Sequence, residues 1–529
     1  MARETRAGSG RAVRRVAAEP IRWPRGNPRG KCKALESLDF CRWSGLAHEL
    51  QSRFGMQLSA FNLYRQDFPA PGQTLIHNTF SGAYVILDAE ERALLRRIDR
   101  QEGIAADEEA IVADREWLHP DIGILVADLD QEEAAYRAWF DAERNQRHLH
   151  CIVGVNLACN FECPYCLQAD VLDGTVMKPA IAEACADWLA ERARAIGATR
   201  VRLTFIGGEP LLHPERIKMV SSRLRQQLAD SATEVRLGLI TNGYFLTEDM
   251  VQELLPHGLD HAQVTLDGDH TSHCRSRVSK RGEDTFERIF SQTIAASRHI
   301  RIAIKGNYQE DTVHGFGPLV DRLAEADLPR GSVIQFAPAL ETLSAPAGTA
   351  GGACTWSEAA FDYRVALHDK IVGHGYSAHE LHTVGPCGFH DHNTFAVDPA
   401  GHIYKCPGFL GHPTWRIGGV QDGLGERYRQ MLAWNSHQEC AGCAHRPNCA
   451  GGCVADVALA RGQLAPSCDR HYLDSVQEHA LPRQYLMLVA DEPREAVHQF
   501  PEPPTALPLV AKKLATGVRS PSLRVLRSA

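Results

Sequence analysis

No apolar run in the chain approaches the ~20 residues that a membrane-spanning helix needs, so a membrane partner has no support. There is no excess of positive charge either. The net charge is -8 with both signs mixed, which offers no basic face to a phosphate backbone and disfavours nucleic acid. The first residues are Arg-rich but contain no apolar core segment and no small-residue cleavage site, which argues against a secretory signal and for the cytoplasm. What is plentiful is cysteine, at 16 of 529 residues. In a reducing compartment, many thiols in short-spaced groups point to metal.

At 529 residues, 44% apolar and 23% charged, the chain is of ordinary globular composition and long enough for about three domains. Residues 1–55 combine arginine, glycine and proline without periodicity and are expected to be a disordered extension. Recognisable pattern begins at Met56, consistent with a start placed too far upstream. Residues 56–148 read as a small α/β module: strand-like runs at 75–79 and 83–87, a helical stretch near 90–98, another strand near 122–126.

From 149 to 345, strand-like runs at 151–156, 200–206, 235–240, 261–266, 301–305 and 333–336 alternate with helical patterns, the signature of parallel βα units. Six such units make an open doubly wound sheet or an incomplete barrel, and in both the ligand site lies at the C-terminal ends of the strands. The first helix carries Ile181, Ala184, Cys185, Trp188 and Leu189 on one stripe, which makes Cys185 a core residue. Residues 346–480 loosen into glycine, proline and cysteine after one helix near 357–372, and 481–529 read as a flexible tail.

Two cysteine groups carry the chemistry. The first, Cys159, Cys163 and Cys166, directly follows the first βα-unit strand. Three thiolates on one tight loop can hold three irons of a cubane and leave the fourth open to a chelating cofactor; a structural zinc knuckle is the alternative. At the end of the second strand stands Gly207-Gly208-Glu209-Pro210, where two glycines allow close backbone approach and Glu209 offers an acceptor to an ammonium. The second group runs Cys387, Cys406, Cys440, Cys443, Cys449, Cys453 and Cys468, with two zinc ribbons as the alternative.

On these motifs the chain resembles the radical SAM superfamily, and is especially similar to anaerobic sulfatase-maturating enzymes and ribosomal-peptide maturases. The resemblance implies a partial (β/α)6 TIM-like barrel with a C-terminal cysteine-rich SPASM domain, and a small N-terminal module similar in pattern to a winged-helix peptide-recognition element or else a structural cap. It implies three [4Fe-4S] clusters. One, on Cys159, Cys163 and Cys166, would cleave S-adenosylmethionine reductively to a 5'-deoxyadenosyl radical; two auxiliary clusters would sit on Cys440, Cys443, Cys449 and Cys468, and on Cys387, Cys406 and Cys453. By motif, Tyr165 falls beside the adenine, Gly207, Gly208 and Glu209 at the methionine moiety, Thr265 and Arg277 near ribose and carboxylate, and Leu340 against the adenine.

Two departures limit the resemblance. The extra cysteine expected six residues before Cys387 is Leu381, which leaves an open iron or makes His382 or Cys354 a ligand; and the aspartate base expected after Cys406 is Pro407, which cannot accept a proton. No catalytic base is assigned. The expected partners are a peptide or protein substrate and a reductant such as flavodoxin or ferredoxin. A small-molecule substrate and a non-catalytic iron-sulfur or zinc protein remain as alternatives. Cys32, Cys41, Cys151, Cys274 and Cys354 read as buried or idle thiols.

Overall fold

The computed structural model describes residues 55–166, 168–309, 311–339, 358–378 and 387–468, with scattered positions between 473 and 486. Leu340, Cys354, Leu381, His382, Cys32 and Cys41 lie outside the described residues, as do the N-terminal extension to residue 54 and most of the tail. Two compact units result. One comprises Met1–Glu133 with Glu478–Pro493, the other Ala134–Gln477 with Arg494–Ala529. No described helix is long and apolar enough to cross a membrane.

In the first unit, β1 (Gln57–Leu58) pairs with β5 (Leu125–Val126), and β2 (Asn62–Gln66), β3 (Thr74–Asn78) and β4 (Tyr84–Leu87) form an antiparallel sheet in that order. The sequence reading missed β1 and β2, the first because two residues carry no period and the second because Asn62-Leu-Tyr-Arg-Gln66 holds only two large apolar side chains. Helix α1 (Ala89–Asp99) starts where Asp88 accepts from the Glu91 amide at 2.9 Å while Glu91 accepts from the Asp88 amide at 2.9 Å, a reciprocal cap that satisfies two orphan donors. Helix α2 (Ala106–Asp114) follows. Ile76, Leu87, Leu94, Leu95, Ile98, Val112, Trp117, Ile124 and Leu125 close a separate core.

The second unit opens with α3 (Leu129–Glu143), which begins in the first, and is built on a sheet of eleven strands. Strands β6 (His148–Gly154), β7 (Arg200–Ile206), β8 (Glu234–Thr241), β9 (Leu259–Thr265), β10 (Arg301–Tyr308) and β11 (Val333–Pro338) lie side by side in chain order and all parallel. Sequential order decides between the two architectures left open above. A doubly wound sheet reverses its strand order at a switch point, whereas six parallel strands in unbroken chain order, joined by the right-handed crossovers that such units take, put their helices on one face. The ring does not close on itself: β11 pairs outward with β12 (Ser377–Ala378), and β6 with β13 (Thr394–Val397).

Burial follows the pleat. In β6, Leu149, Cys151 and Val153 are fully buried, while His148, His150 and Ile152 on the opposite face are half-buried. The helix after β6, α4 (Pro179–Ala195), covers the first face with Ala182, Cys185, Ala186, Leu189 and Ala193, and α5 (Pro214–Gln227) and α6 (Glu248–Leu254) follow β7 and β8. That stripe is rotated one position from the expected one: Ile181 and Ala184 are only partly buried, because the run of alanines lets the helix approach the sheet on its smallest side chains. Cys185 is core as expected.

Beyond β13, strands β14 (His402–Tyr404), β15 (Gly418–Gly419) and β16 (Gly423–Leu424) extend the sheet antiparallel. The cysteine-rich C-terminal region is thereby stitched to the first strand of the parallel set through the β6–β13 pair, a long-range register with no signal in the local sequence.

Candidate functional site

The loop after β6 and the loop after β7 meet at the C-terminal ends of their strands, and two glycines explain how closely. A Cβ on Gly208 would stand 2.2 Å from the Ala158 carbonyl oxygen and 2.9 Å from Cys159 Cβ; one on Gly207 would stand 2.6 Å from the Asn156 carbonyl oxygen. Real side chains do not survive such approaches, so glycine here is a packing requirement. Asn156, fully buried, locks the two loops together: its Nδ2 donates to the Glu209 carbonyl at 2.9 Å and its Oδ1 accepts from the Ala158 amide at 3.0 Å. The sequence reading missed Asn156, since a lone asparagine after a strand looks like any turn residue.

Cys159, Cys163 and Cys166 are brought within electrostatic reach of one another, with the Arg277 guanidinium beside Cys159 and Cys163. Burial pushes the Cys163 thiol up to about 11 and raises Cys159 as well, against the pull of Arg277. Arg277 spans several groups. Its Nη1 donates to the Tyr165 hydroxyl at 3.2 Å, its carbon lies 5.3 Å above the Phe161 ring, and its buried Nε has no hydrogen-bond partner among the described residues. The Tyr165 hydroxyl also donates to Asp267, whose other oxygen accepts from the Asn307 amide at 2.7 Å. Tyr165 and Asp267 are both buried, and burial raises both from their ordinary values. Thr265 ends β9 two residues before Asp267. Of the S-adenosylmethionine residues expected by resemblance, Tyr165, Gly207, Gly208, Glu209, Thr265 and Arg277 therefore gather around the strand ends; Leu340 lies outside the described residues.

The segment that delivers Arg277 also braces the thiol loop. Helix α7 (His270–Ser276) ends at Arg277, and the following residues pair with the cysteine loop through Glu162 N to Val278 O at 2.8 Å and Lys280 N to Asn160 O at 3.0 Å. Within α7, His273 is fully buried; burial drives its imidazole down to about 3, and its Nδ1 accepts from the Asp267 amide at 3.4 Å, a role open only to the neutral ring. The native value lies below the ~6.5 of an unfolded histidine. The neutral ring therefore costs nothing above about pH 6.5, and stability is lost as pH falls from there toward about 3, by about 1.4 kcal/mol per unit at most. Urea midpoints measured from pH 7 to pH 5 are expected to fall, and His273→Asn, which keeps an acceptor, to flatten that slope.

Glu209, expected by resemblance at the cofactor's methionine moiety, also has a structural part. Its carboxylate is fully buried and takes three bonds: Oε1 accepts from the Leu211 amide at 2.9 Å and the Thr241 hydroxyl at 2.8 Å, and Oε2 from the Asn242 amide at 2.8 Å. It ties the ends of β7 and β8 together and leaves one lone-pair direction for a ligand. Glu209→Gln turns an N–H toward at least one of those donors. The expected cost is about 2–3 kcal/mol, read as a lower thermal midpoint. Unchanged stability with weakened cofactor affinity would mean that the carboxylate serves the cofactor and not the fold.

The remaining seven thiols fall into two sets. Cys440 interacts with Cys443 and Cys468, and Cys449 with Cys440 and Cys443; Cys406 interacts with Cys387, and Cys453 with Cys406. Gly452 sets the first grouping: a Cβ there would lie 2.1 Å from the Ser467 carbonyl oxygen, so only glycine lets the Cys468 segment lie against the loop. Lys405, wholly buried, sits beside Cys387 and Cys406 and donates to the Thr394 carbonyl at 2.8 Å; burial lowers it to about 7. Pro407 starts a short 3-10 turn after Cys406.

Three comparisons bear on this geometry. Residues 155–307 match the radical SAM superfamily. The mycofactocin maturase MftC of Mycobacterium ulcerans is 25% identical over 332 residues, covering 56% of this chain and 80% of that one. The GTP 3',8-cyclase of Microcystis aeruginosa is 30% identical over 142 residues, 26% of this chain and 41% of that protein, so the chain spans about two fifths of the cyclase's length. A solved structure of an anaerobic sulfatase maturase, native anSMEcpe with bound AdoMet and Kp18Cys peptide, superposes with a TM-score of 0.52 at 18% identity over 64% of this chain and 99% of that one; the likeness is one of fold. A radical SAM domain implies a [4Fe-4S] cluster and S-adenosylmethionine, and the residues fit both: three thiols on one loop suit a cubane, and the buried, unpartnered Arg277 Nε beside them suits an anionic group.

Proposed function

We propose, starting from the radical SAM domain that residues 155–307 of this chain form, that the protein is an enzyme removing hydrogen from a peptide or protein substrate, in the manner of a ribosomal-peptide maturase. When bound, the cluster and S-adenosylmethionine supply an electron and a carbon-centred radical. The observation that carries the reading is the gathering of Cys159, Cys163, Cys166, Tyr165 and Arg277 at the strand ends. Cys159, Cys163 and Cys166 hold the cluster. Arg277 receives the cofactor carboxylate, Tyr165 flanks the adenine, and Gly207 and Gly208 admit the methionine backbone close to the strand end.

Two auxiliary clusters rest on Cys440, Cys443, Cys449 and Cys468 and on Cys387, Cys406 and Cys453, three clusters and about twelve irons in all. The reducing cytoplasm, with flavodoxin or ferredoxin as donor, is the setting that such thiols require.

The peptide reading draws on relatives that mature peptides and on the N-terminal unit, a distinct domain that cofactor cleavage does not need. There, a cleft of about 130 Å³ opens between α1 and the sheet, lined by Tyr64, Gln66, Leu87, Arg92, Leu95 and Arg96. Tyr64, 49% exposed, stands on β2, whose outer edge is unpaired among the described strands. A leader peptide adding a strand to β2 would meet that cleft. Tyr64→Asp with Arg96→Glu is expected to raise KM for a precursor peptide encoded beside the gene about tenfold or more, leaving peptide-independent cofactor cleavage unchanged. An unchanged KM removes the unit from recognition. The GTP 3',8-cyclase match keeps a small-molecule reading in view, and turnover supported by GTP alone would favour it.

A further inference from the structure

Among the described thiols outside the two cysteine groups, Cys274 reads as idle in the sequence, and the structure places it beside a histidine and a carboxylate. It lies on α7, four residues after His270, so the two side chains project from the same helical face. Asp284, in the loop leading to α8 (Phe286–Ala296), completes the group: the Cys274 thiol donates to Asp284 Oδ1 at 3.4 Å, and His270 Nε2 is paired with Asp284 Oδ2. One ligand atom from each residue lies within 4.8 Å of the other two, and among the described residues no other trio of histidine, cysteine and carboxylate converges so tightly. His270 and Asp284 are exposed and Cys274 is half-buried, so the trio opens to solvent on one side.

We infer that His270, Cys274 and Asp284 form a surface site for one zinc-class divalent cation, separate from the iron-sulfur groups. Imidazole, thiolate and carboxylate together are a borderline donor set of the kind zinc takes, and three protein ligands with an open face leave the fourth position to water. Two contacts already hold the trio together: the hydrogen bond from the Cys274 thiol to Asp284 and the pairing of His270 Nε2 with the same carboxylate. A bound cation would replace those two hydrogen bonds by metal bonds and release the thiol proton. The consequence is positional. The cation would clip α7 to the far end of the loop running from Arg277 through the residues that pair with Asn160 and Glu162, and so fix the segment that braces the cysteine loop.

The test uses the full chain with its iron-sulfur groups reconstituted, then given zinc, with zinc and iron measured on the same sample. One zinc per chain is expected above the iron complement, with a zinc-edge X-ray absorption spectrum showing one sulfur at about 2.3 Å among nitrogen and oxygen at about 2.0–2.1 Å. Cys274→Ser should remove the sulfur shell and weaken binding about tenfold or more; His270→Ala, a change at an exposed position, provides a second variant, and iron content equal to the parent's serves as the folding check. A sulfur-only shell, zinc retained equally by both variants, or no zinc bound by the parent would each overturn the site.

Discussion

The triple variant Cys159→Ala, Cys163→Ala, Cys166→Ala is expected to form no 5'-deoxyadenosine from S-adenosylmethionine under dithionite, while its iron falls by only about a third from about twelve per chain. The asymmetry is what makes the result informative. The other seven thiols form two sets in a separate part of the fold, joined to the parallel strands by the β6–β13 register, so their iron should remain when the first loop is stripped. Iron and acid-labile sulfide analysis beside a chromatographic assay for 5'-deoxyadenosine checks both halves. Undiminished 5'-deoxyadenosine would remove the three cysteines from the chemistry. Loss of all iron would mean that the thiol sets assemble as one unit.

Gly208→Ala should be nearly as damaging although it removes no thiol. Its added methyl would need to occupy space 2.2 Å from the Ala158 carbonyl oxygen, 2.5 Å from the Ala158 carbonyl carbon and 2.9 Å from Cys159 Cβ. Two of those three atoms are backbone and cannot rotate away. Overpacking of this kind costs about 1–3 kcal/mol where neighbours can yield, and here the yielding part is the loop that carries the three thiols. The expected outcome is again loss of about a third of the iron, together with loss of cofactor cleavage. Gly103→Ala is the matched control, since nothing lies within 4 Å of a Cβ there. Wild-type iron and activity in Gly208→Ala would show that the loop has slack that the structure does not display.

Much of this was legible in the sequence because its signals are local. Three thiols within eight residues, a glycine pair at a strand end and six alternating strand and helix patterns each fit inside a short window. What depended on register was not legible. Nothing near residues 394–397 says that they pair with 150–153, and nothing near Glu209 says that its carboxylate is claimed by Leu211, Thr241 and Asn242. The sequence suggests a ligand for a cation there, and only the neighbouring strand reveals the structural part that the same carboxylate plays. Asp267, which joins Tyr165 to the Asn307 amide, was overlooked for the same reason: two residues beyond a strand end, a buried aspartate and a turn aspartate look alike. Cys274 went the opposite way, from idle thiol to one member of a trio, because Asp284 returns to it only across a ten-residue excursion.

We propose that the hydrogen removed comes from a peptide, and deuterium transfer tests that directly. A precursor peptide encoded beside the gene, made with fully deuterated side chains, is incubated with the reconstituted full chain, S-adenosylmethionine and a reductant, and the 5'-deoxyadenosine is weighed by mass spectrometry. The expected result is 5'-deoxyadenosine carrying deuterium, together with a modified peptide from which that deuterium is missing. Unlabelled 5'-deoxyadenosine beside an unchanged peptide, with GTP or another small molecule supporting turnover in its place, would contradict it.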